Sequence, residues 1–387
     1  MSSVLGTYAR KAISFTSGKG SYLFAENGDK YLDFVQGIAT NILGHCHEHL
    51  VKTIQDQSKK LWHVSNAYII PEQERLAQRL TENTFADFVC FQNSGTEATE
   101  AGIKIARKYF HKIGKPEKNR IITFQGAFHG RTLAALFAAN NSKHTEGFGP
   151  KVDGFDQVPF ADHEAIKKAI NKNTAAIMVE TIMGEGGIKV VPEFCIQGLR
   201  KICDENDLLL ILDEVQSAYR TGNFFAFEKS GITPDIVPIA KGIGGGFPLG
   251  ACLITKKVSA GMTPGTHGST FGGNPLAMAV GNAVLDVILK KDFLNNVEKK
   301  GKYFDQGLNK IKNAFPKIIG EIRGAGLIKG LKMLVDNTEF IQKLMKHKML
   351  AIKAEENVIR LFPPLIVNNN ELDEAITKIE KVCKEMS

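Results

Sequence analysis

Six short apolar segments rich in β-branched and aromatic residues recur between residues 88 and 255: ADFVCFQ, RIITFQG, AAIMVET, LLLILDEV, DIVPIAK and GACLIT. Most are separated by stretches with helical periodicity. In 96–110, for example, Ala98, Ala101, Ile105 and Tyr109 fall on one stripe at helical spacing. A strand that is apolar along its whole length has no solvent face, so both sides of its sheet must be covered. Such strands alternating with helices predict an α/β fold, a mostly parallel central sheet covered by helices. Beyond residue 282 the texture changes to lysine-rich helices and short strands such as LIKGLKMLV and VIRLF, which predicts a smaller α+β domain. At 387 residues the chain is long enough for both lobes.

Several function classes are excluded by what is missing. No run approaches the ~20 apolar residues of a spanning helix. The start, MSSVLGTYARKAISF, lacks the apolar block of a signal peptide, so a cytoplasmic protein is expected. The six cysteines are scattered without a C-x-x-C pair, which favours reduced thiols over disulfides or zinc. The net charge of +8 comes from lysines spread along the chain, with no basic block and no interleaved aromatics. That pattern argues against nucleic acid and suits anionic small molecules. His45, His47 and His49 are spaced i, i+2 and i+4, which matches neither one helix face nor a usual zinc spacing, so no metal is expected.

Polar residues gather where the predicted strands end. FVCFQ runs into Asn93-Ser94-Gly95-Thr96, RIITFQG into Ala-Phe-His-Gly-Arg, AAIMV into Glu180 and Glu185, LLLIL into Asp213-Glu-Val-Gln216, and DIVPIA into Lys241. Ligands in open α/β sheets bind outside the carboxyl ends of the strands, so these ends predict a single site. NSGTEATEA reads in two ways. Ser94 and Glu97 can form a capping box, and the same helix start can bind a phosphate through free amides. Asp213 ends the most apolar strand, where a carboxylate needs a cation. Lys241 can be that cation in a simple salt bridge. Alternatively, a protonated heteroaromatic nitrogen satisfies Asp213 and leaves Lys241 free to attack a carbonyl. The second combination is what pyridoxal 5'-phosphate (PLP) requires. On that reading, Gly242 and Gly244–Gly246 give room for the cofactor beside the lysine.

The blocks YLDFVQGIATNILGHCH, HVSNAY, NSGTEA, FHGRT, ILDEVQ, TPDIVPIAKGIGGGFPLGA, HGSTFGGNPLA and VIRLFPPLIV resemble the class III aminotransferases, PLP enzymes of fold type I, nearly end to end. The resemblance implies that Lys241 forms the Schiff base and then shuttles a proton, while Asp213 keeps the ring nitrogen protonated. It further implies that Gln216 touches the phenolic oxygen, that Phe128 covers one ring face, and that Gly95 and Thr96 bind the phosphate. Thr270 is expected to reach the phosphate of the neighbouring subunit, giving a homodimer with shared active sites, and Ser269 to lie near substrate. Residues 49–282 are expected to form the large PLP-binding domain, with 283–387 as the small domain and 1–48 contributing to it.

Arg131 and Arg360 can each hold a carboxylate with a bidentate fork. The resemblance pairs Arg360 with Glu185, masking the arginine for an ω-amine donor and freeing it for glutamate. The substrates it implies are N2-acetyl-L-ornithine and 2-oxoglutarate, with succinyl-diaminopimelate as a second donor. Ornithine and 4-aminobutyrate remain as alternatives, as does a non-catalytic phosphate-binding regulator. Two departures from the family pattern bear on substrate fit. DEVQSAYRTG is one residue short and lacks two glycines, which leaves the loop 217–222 with Arg220 open, and ETIMGE has Thr181 and Met183 in place of proline and glutamine.

Overall fold

A computed structural model describes residues 3–387. Seven strands form the central sheet: β1 (Phe88–Gln92), β2 (Arg120–Phe124), β3 (Phe155–Val158), β4 (Thr174–Glu180), β5 (Leu209–Asp213), β6 (Ile236–Ile239) and β7 (Gly250–Ile254). Their spatial order is β1-β7-β6-β5-β4-β2-β3. Neighbours pair in parallel except β7, which is antiparallel to both β6 and β1. Every residue of β4, β5, β6 and β7 is buried, which is why these four read as continuous apolar runs. β3 escapes a sequence reading because FDQV is a short edge strand whose polar centre gives no apolar run.

The helix Gly95–Lys112 follows β1 and packs on β6 and β7 through Ala98, Ala101, Gly102, Ile105 and Tyr109. The helix Pro275–Ile288 is buried at every position except Asp286 and packs against the helices Glu48–Ser58 and Pro71–Glu82. A helix apolar on all sides must lie in the interior. It runs straight through residue 282, where the change of texture begins.

Two smaller sheets flank this body. Phe15–Lys19, Tyr22–Ala25 and Lys30–Asp33 form an antiparallel meander, and Met349–Leu350 adds to it in parallel beside Lys30–Asp33. Ile319–Ala325, Ile328–Met333, Val358–Leu361 and Ile352–Ala354 form an antiparallel sheet in that spatial order. The helices Phe293–Ala314 and Asn369–Glu385 pack together beside it. Among the described residues no helix is long and apolar enough to cross a membrane. All six cysteines are free thiols. His45 and His49 turn to different carboxylates, Asp33 and Asp286, at 2.8 and 2.9 Å.

Candidate active site

The carboxyl ends of β1, β2, β4, β5 and β6 meet around a cavity of about 240 Å³. Gly95, Thr96, Phe128, His129, Gly130, Arg131, Glu180, Glu185, Asp213, Val215, Gln216 and Lys241 line it. Residues far apart in the chain converge because parallel strands place all their following loops on one edge. Lys241 is the second residue after the end of β6, on a turn where its own φ is +49°. A side chain held in the left-handed region is strained, and such strain persists where the surroundings over-determine the backbone. Here they do. Tyr219 and Ile42 pack beneath the next residue: a Cβ on Gly242 would lie 3.4 and 3.1 Å from them.

Asp213 and Glu180 end adjacent strands in register. The buried His129 places Nδ1 2.8 Å from Asp213 Oδ2, while Asp213 Oδ1 accepts from the Val215 amide at 3.0 Å. Burial of the imidazole opposes its charged form, but the hydrogen bond and charge of Asp213 outweigh it and raise its pKa. Glu180 accepts from the Phe128 and Gly184 amides at 2.8 and 3.1 Å. Burial nevertheless raises its carboxyl to about 7. Sequence reasoning misses His129. It identifies the need of a strand-end aspartate for a cation, yet the histidine within FHGRT is the candidate it does not weigh.

Lys241 Nζ makes no hydrogen bond or ion pair among the described residues. The salt bridge to Asp213 is therefore absent, and His129 takes that place. Burial in the cleft lowers the ammonium of Lys241 from 10.5 to about 8, with the charges of Glu185 and Arg360 acting in opposite directions. The neutral amine, which is the nucleophile, thus becomes the main form as pH rises through about 8. Capture of PLP by the cofactor-free protein should follow the same curve. Measured by the growth of visible absorbance, its rate should climb between pH 7 and 9 and then level off. A rate still climbing steeply toward pH 10.5 would show that the cleft leaves this amine like free lysine.

The helix beginning at Gly95 is capped by Ser94, whose Oγ accepts from the Glu97 amide. Glu97 Oε2 reaches back to accept from the Asn93 amide at 2.8 Å and from the Ser94 hydroxyl at 3.0 Å. The Thr96 hydroxyl accepts from the amides of Arg131 and Thr132, both at 3.1 Å, and touches the Thr132 hydroxyl at 2.8 Å. It is fully engaged in holding the loop after β2. What Gly95 and Thr96 offer a phosphate is their backbone N–H groups at the positive helix end. Phe128 and Val215 supply apolar surface, and Gln216 Oε1 is buried without a partner. An amine of lowered pKa, a locked carboxylate, a ring and an anion seat match the donor set that PLP requires.

Arg360, in the strand Val358–Leu361, is 2% exposed and grips Glu185 with both Nη atoms, at 2.6 and 3.0 Å. Arg131 is exposed at the cavity mouth, 5.4 Å above the Phe128 ring. Ser269 and Thr270 do not line this cavity. Ser269 lines a separate cleft of about 810 Å³ with Asn66, Phe91 and His267, and Thr270 is exposed beside it.

Three sequence readings change. The glycines after Lys241 do not make room for a ligand. Cβ atoms at Gly244, Gly245 and Gly246 would strike Leu249, Leu50 and Asn41 respectively, so the run serves tight packing behind the lysine. Gly245 and Gly246 also have φ of +55° and +109°. Neither Thr181 nor Met183 lines the cavity. Thr181 donates to buried Glu214 at 2.7 Å, and Met183 is buried beside Gly126. In the short loop the left-handed region is taken by Tyr219, at φ +68° with its ring packed edge-on against Phe224, as well as by Gly222 at φ +90°.

The family model for aminotransferase class-III matches residues 7–383. An acetylornithine aminotransferase of Agrobacterium fabrum is 54% identical over 382 residues, covering 98% of this chain and 96% of its own. A Toxoplasma gondii ornithine aminotransferase with partial PLP occupancy at its active site is 30% identical with TM-score 0.94, covering 98% of this chain and 92% of that one. N-acetylornithine aminotransferase from Stenotrophomonas maltophilia is 31% identical with TM-score 0.85, covering 98% and 97%.

Proposed function

As the chain belongs to the class III aminotransferases, we propose that it moves the ω-amino group of N2-acetyl-L-ornithine to 2-oxoglutarate, giving N-acetyl-L-glutamate 5-semialdehyde and L-glutamate. This is a step of arginine biosynthesis, carried out in the cytoplasm. PLP supplies the electron sink that makes the substrate Cα–H or Cω–H acidic. Lys241 would hold the cofactor, and its amine, with a pKa lowered to about 8, would suit moving the substrate proton. Asp213, aligned by His129, keeps a proton on the ring nitrogen. Gly95 and Thr96 would hold the phosphate by their amides, Phe128 would supply apolar surface for the ring, and Gln216, whose Oε1 is buried without a partner, would be available to its phenolic group.

The observation that carries the substrate assignment is the bidentate pairing of Arg360 with Glu185 at 2.6 and 3.0 Å. While paired, Arg360 is neutralised. The carboxylate of an acylated ω-amine donor then settles on Arg131, with its distal amine at Lys241. Glutamate has two carboxylates and needs both arginines, so it must displace Glu185. 4-Aminobutyrate also has one carboxylate, so the exchange supports an ω-amine donor paired with glutamate, and the 54% identity to an acetylornithine aminotransferase favours the acylated donor. A panel of ω-amines, each tested with 2-oxoglutarate, checks the donor. Higher kcat/KM for ornithine or 4-aminobutyrate than for acetylornithine overturns the assignment.

Glu185→Ala should damage the half-reactions unequally. Arg360 then stands free, favours glutamate and draws donor carboxylates into an unproductive pose. Charge-assisted hydrogen bonds are worth ~1.5–3 kcal/mol, so the ratio of half-reaction efficiencies should move roughly ten- to a hundredfold toward glutamate. Single-turnover kinetics with each amine measures it. An equal fall in both would make Glu185 a structural residue.

The enzyme is proposed to be a homodimer whose Thr270 serves the partner's phosphate and whose Ser269 lies near the substrate there. In support, the segments 62–69 and 269–272 pack together and leave Trp62, Tyr68, Ile69 and Phe271 each more than half exposed. The proposed division into residues 49–282 and a smaller domain of 1–48 with 283–387 is supported by the parallel pairing of Lys30–Asp33 with Met349–Leu350.

A further inference from the structure

Arg220 is, with Arg360, one of the two largest fully buried side chains among the described residues, and no carboxylate there pairs with it. Its two Nη atoms donate instead to three main-chain carbonyls, each at 3.2 Å: Leu327 and Pro363 from Nη1, Ala39 from Nη2. Nε has no partner. Burial without a counter-charge lowers this guanidinium to about 9. Keeping a desolvated cation is costly, and an apolar residue of similar volume is often better for stability alone. Its retention therefore asks what the charge does.

The contacts of Arg220 converge on the strand that carries Arg360. Pro363 is the third residue after Arg360, and Leu327 caps the hairpin whose strand Ile328–Met333 pairs Gly330 with Arg360. The grip is mutual, since Leu327 donates its amide to the Arg220 carbonyl at 2.8 Å. Between the two arginines lies Phe362. Its position, two residues after Arg360, puts it on the same side of the extended chain. The guanidinium carbon of Arg220 is 5.4 Å from its ring centroid and that of Arg360 is 5.7 Å away. One buried aromatic ring thus serves both cations. Phe362 is fixed in turn by the hydrogen bond its backbone amide donates to the Phe34 carbonyl at 2.7 Å and by its place in the cluster with Ala39, Ile182 and Ile188.

We infer that Arg220 is a positioning residue for Arg360, holding the Pro363 backbone and the Phe362 ring so that the Arg360 fork stays aimed at the cavity as it exchanges Glu185 for a second substrate carboxylate. The inference rests on the exchange proposed above. Once Arg360 leaves Glu185, its side-chain supports are the Phe362 ring and the Lys353 carbonyl, which accepts from Nη2 at 3.0 Å. If the ring shifts, a fork that must meet two carboxylate oxygens loses its alignment. A donor that leaves the Arg360–Glu185 pair closed does not test that alignment.

Two acids without an amine separate the steps: glutarate, which carries both carboxylates, and pentanoate, which carries one. Calorimetric binding to the PLP-loaded protein gives the ratio of their affinities. Arg220→Lys should weaken glutarate about tenfold, ~1.4 kcal/mol, within the range of a desolvated cation–π contact, and leave pentanoate unchanged. Phe362→Leu keeps Arg220 and its carbonyl contacts intact and should act in the same direction. A wild-type ratio in both variants, or equal losses for the two acids, would reduce Arg220 to a structural role and overturn the inference. Lack of any glutarate preference in the wild type would overturn the exchange itself, and the inference with it.

Discussion

Replacing Lys241 with alanine should leave a folded protein whose turnover is lower by at least about a thousandfold, within the ~10²–10⁴-fold that a positioned acid–base group contributes before its covalent role is counted. Folding should survive because Lys241 Nζ holds nothing in place among the described residues. Removing a cation whose pKa is pressed down to about 8 by burial also relieves a desolvation cost. Alanine inherits the same φ of +49°, so the strain of the turn is unchanged. Borohydride reduction of the PLP-loaded wild type, followed by peptide mass mapping, should place the label on Lys241, and the variant should take none. A label on another lysine, or a variant that turns over near the wild-type rate, defeats the assignment.

Asp213→Ala should lose at least about a hundredfold in turnover while still binding some PLP, because breaking a buried charged pair costs ~3–5 kcal/mol. The proposed phosphate seat at Gly95 and Thr96 and the amine of Lys241 are untouched by the change. The change removes the Nδ1 hydrogen bond of His129 at 2.8 Å and, on the proposed function, the anion that would keep the cofactor ring protonated. With Asp213 gone, burial alone acts on His129 besides the weaker charge of Glu180, so its pKa should fall. Asp213→Asn separates the two losses, since its amide oxygen can still accept from His129. If the Asp213→Asn variant keeps the wild-type melting temperature yet is as slow as the alanine variant, the negative charge is what matters. Near wild-type turnover in either variant would make this carboxylate purely structural.

The strand-end residues are legible one at a time because each interrupts an apolar run. Asp213 and Glu180 stand out against LLLIL and AAIMV, and Lys241 against DIVPIA. The shortened loop at 217–222, where two glycines are missing, is legible too. Its conformation is not. Tyr219 enters the left-handed region with its ring packed edge-on against Phe224, a partner whose approach depends on the fold of the whole loop. The glycine run after Lys241 misleads for the same reason. Absence of side chains shows that something comes close, but Leu50, Asn41 and Leu249 lie outside the run and take the place expected for the cofactor.

By itself the sequence determined the layered α/β architecture, because burial on both faces of a sheet must appear as continuous apolar strands, whatever the detailed packing. It likewise pointed to most of the polar residues that line the cavity, since each interrupts an apolar run, but it left out His129 and added Ser269 and Thr270, which lie elsewhere. Only the tertiary structure decided the pairings. Whether Asp213 meets Lys241 or His129, whether the Thr96 side chain faces a ligand or the loop after β2, and whether Arg220 is solvated or buried beneath Phe362 all depend on distances between segments remote in the chain. Buried polar groups take whichever partner the packing brings within hydrogen-bond reach, and local sequence pattern does not encode that distance.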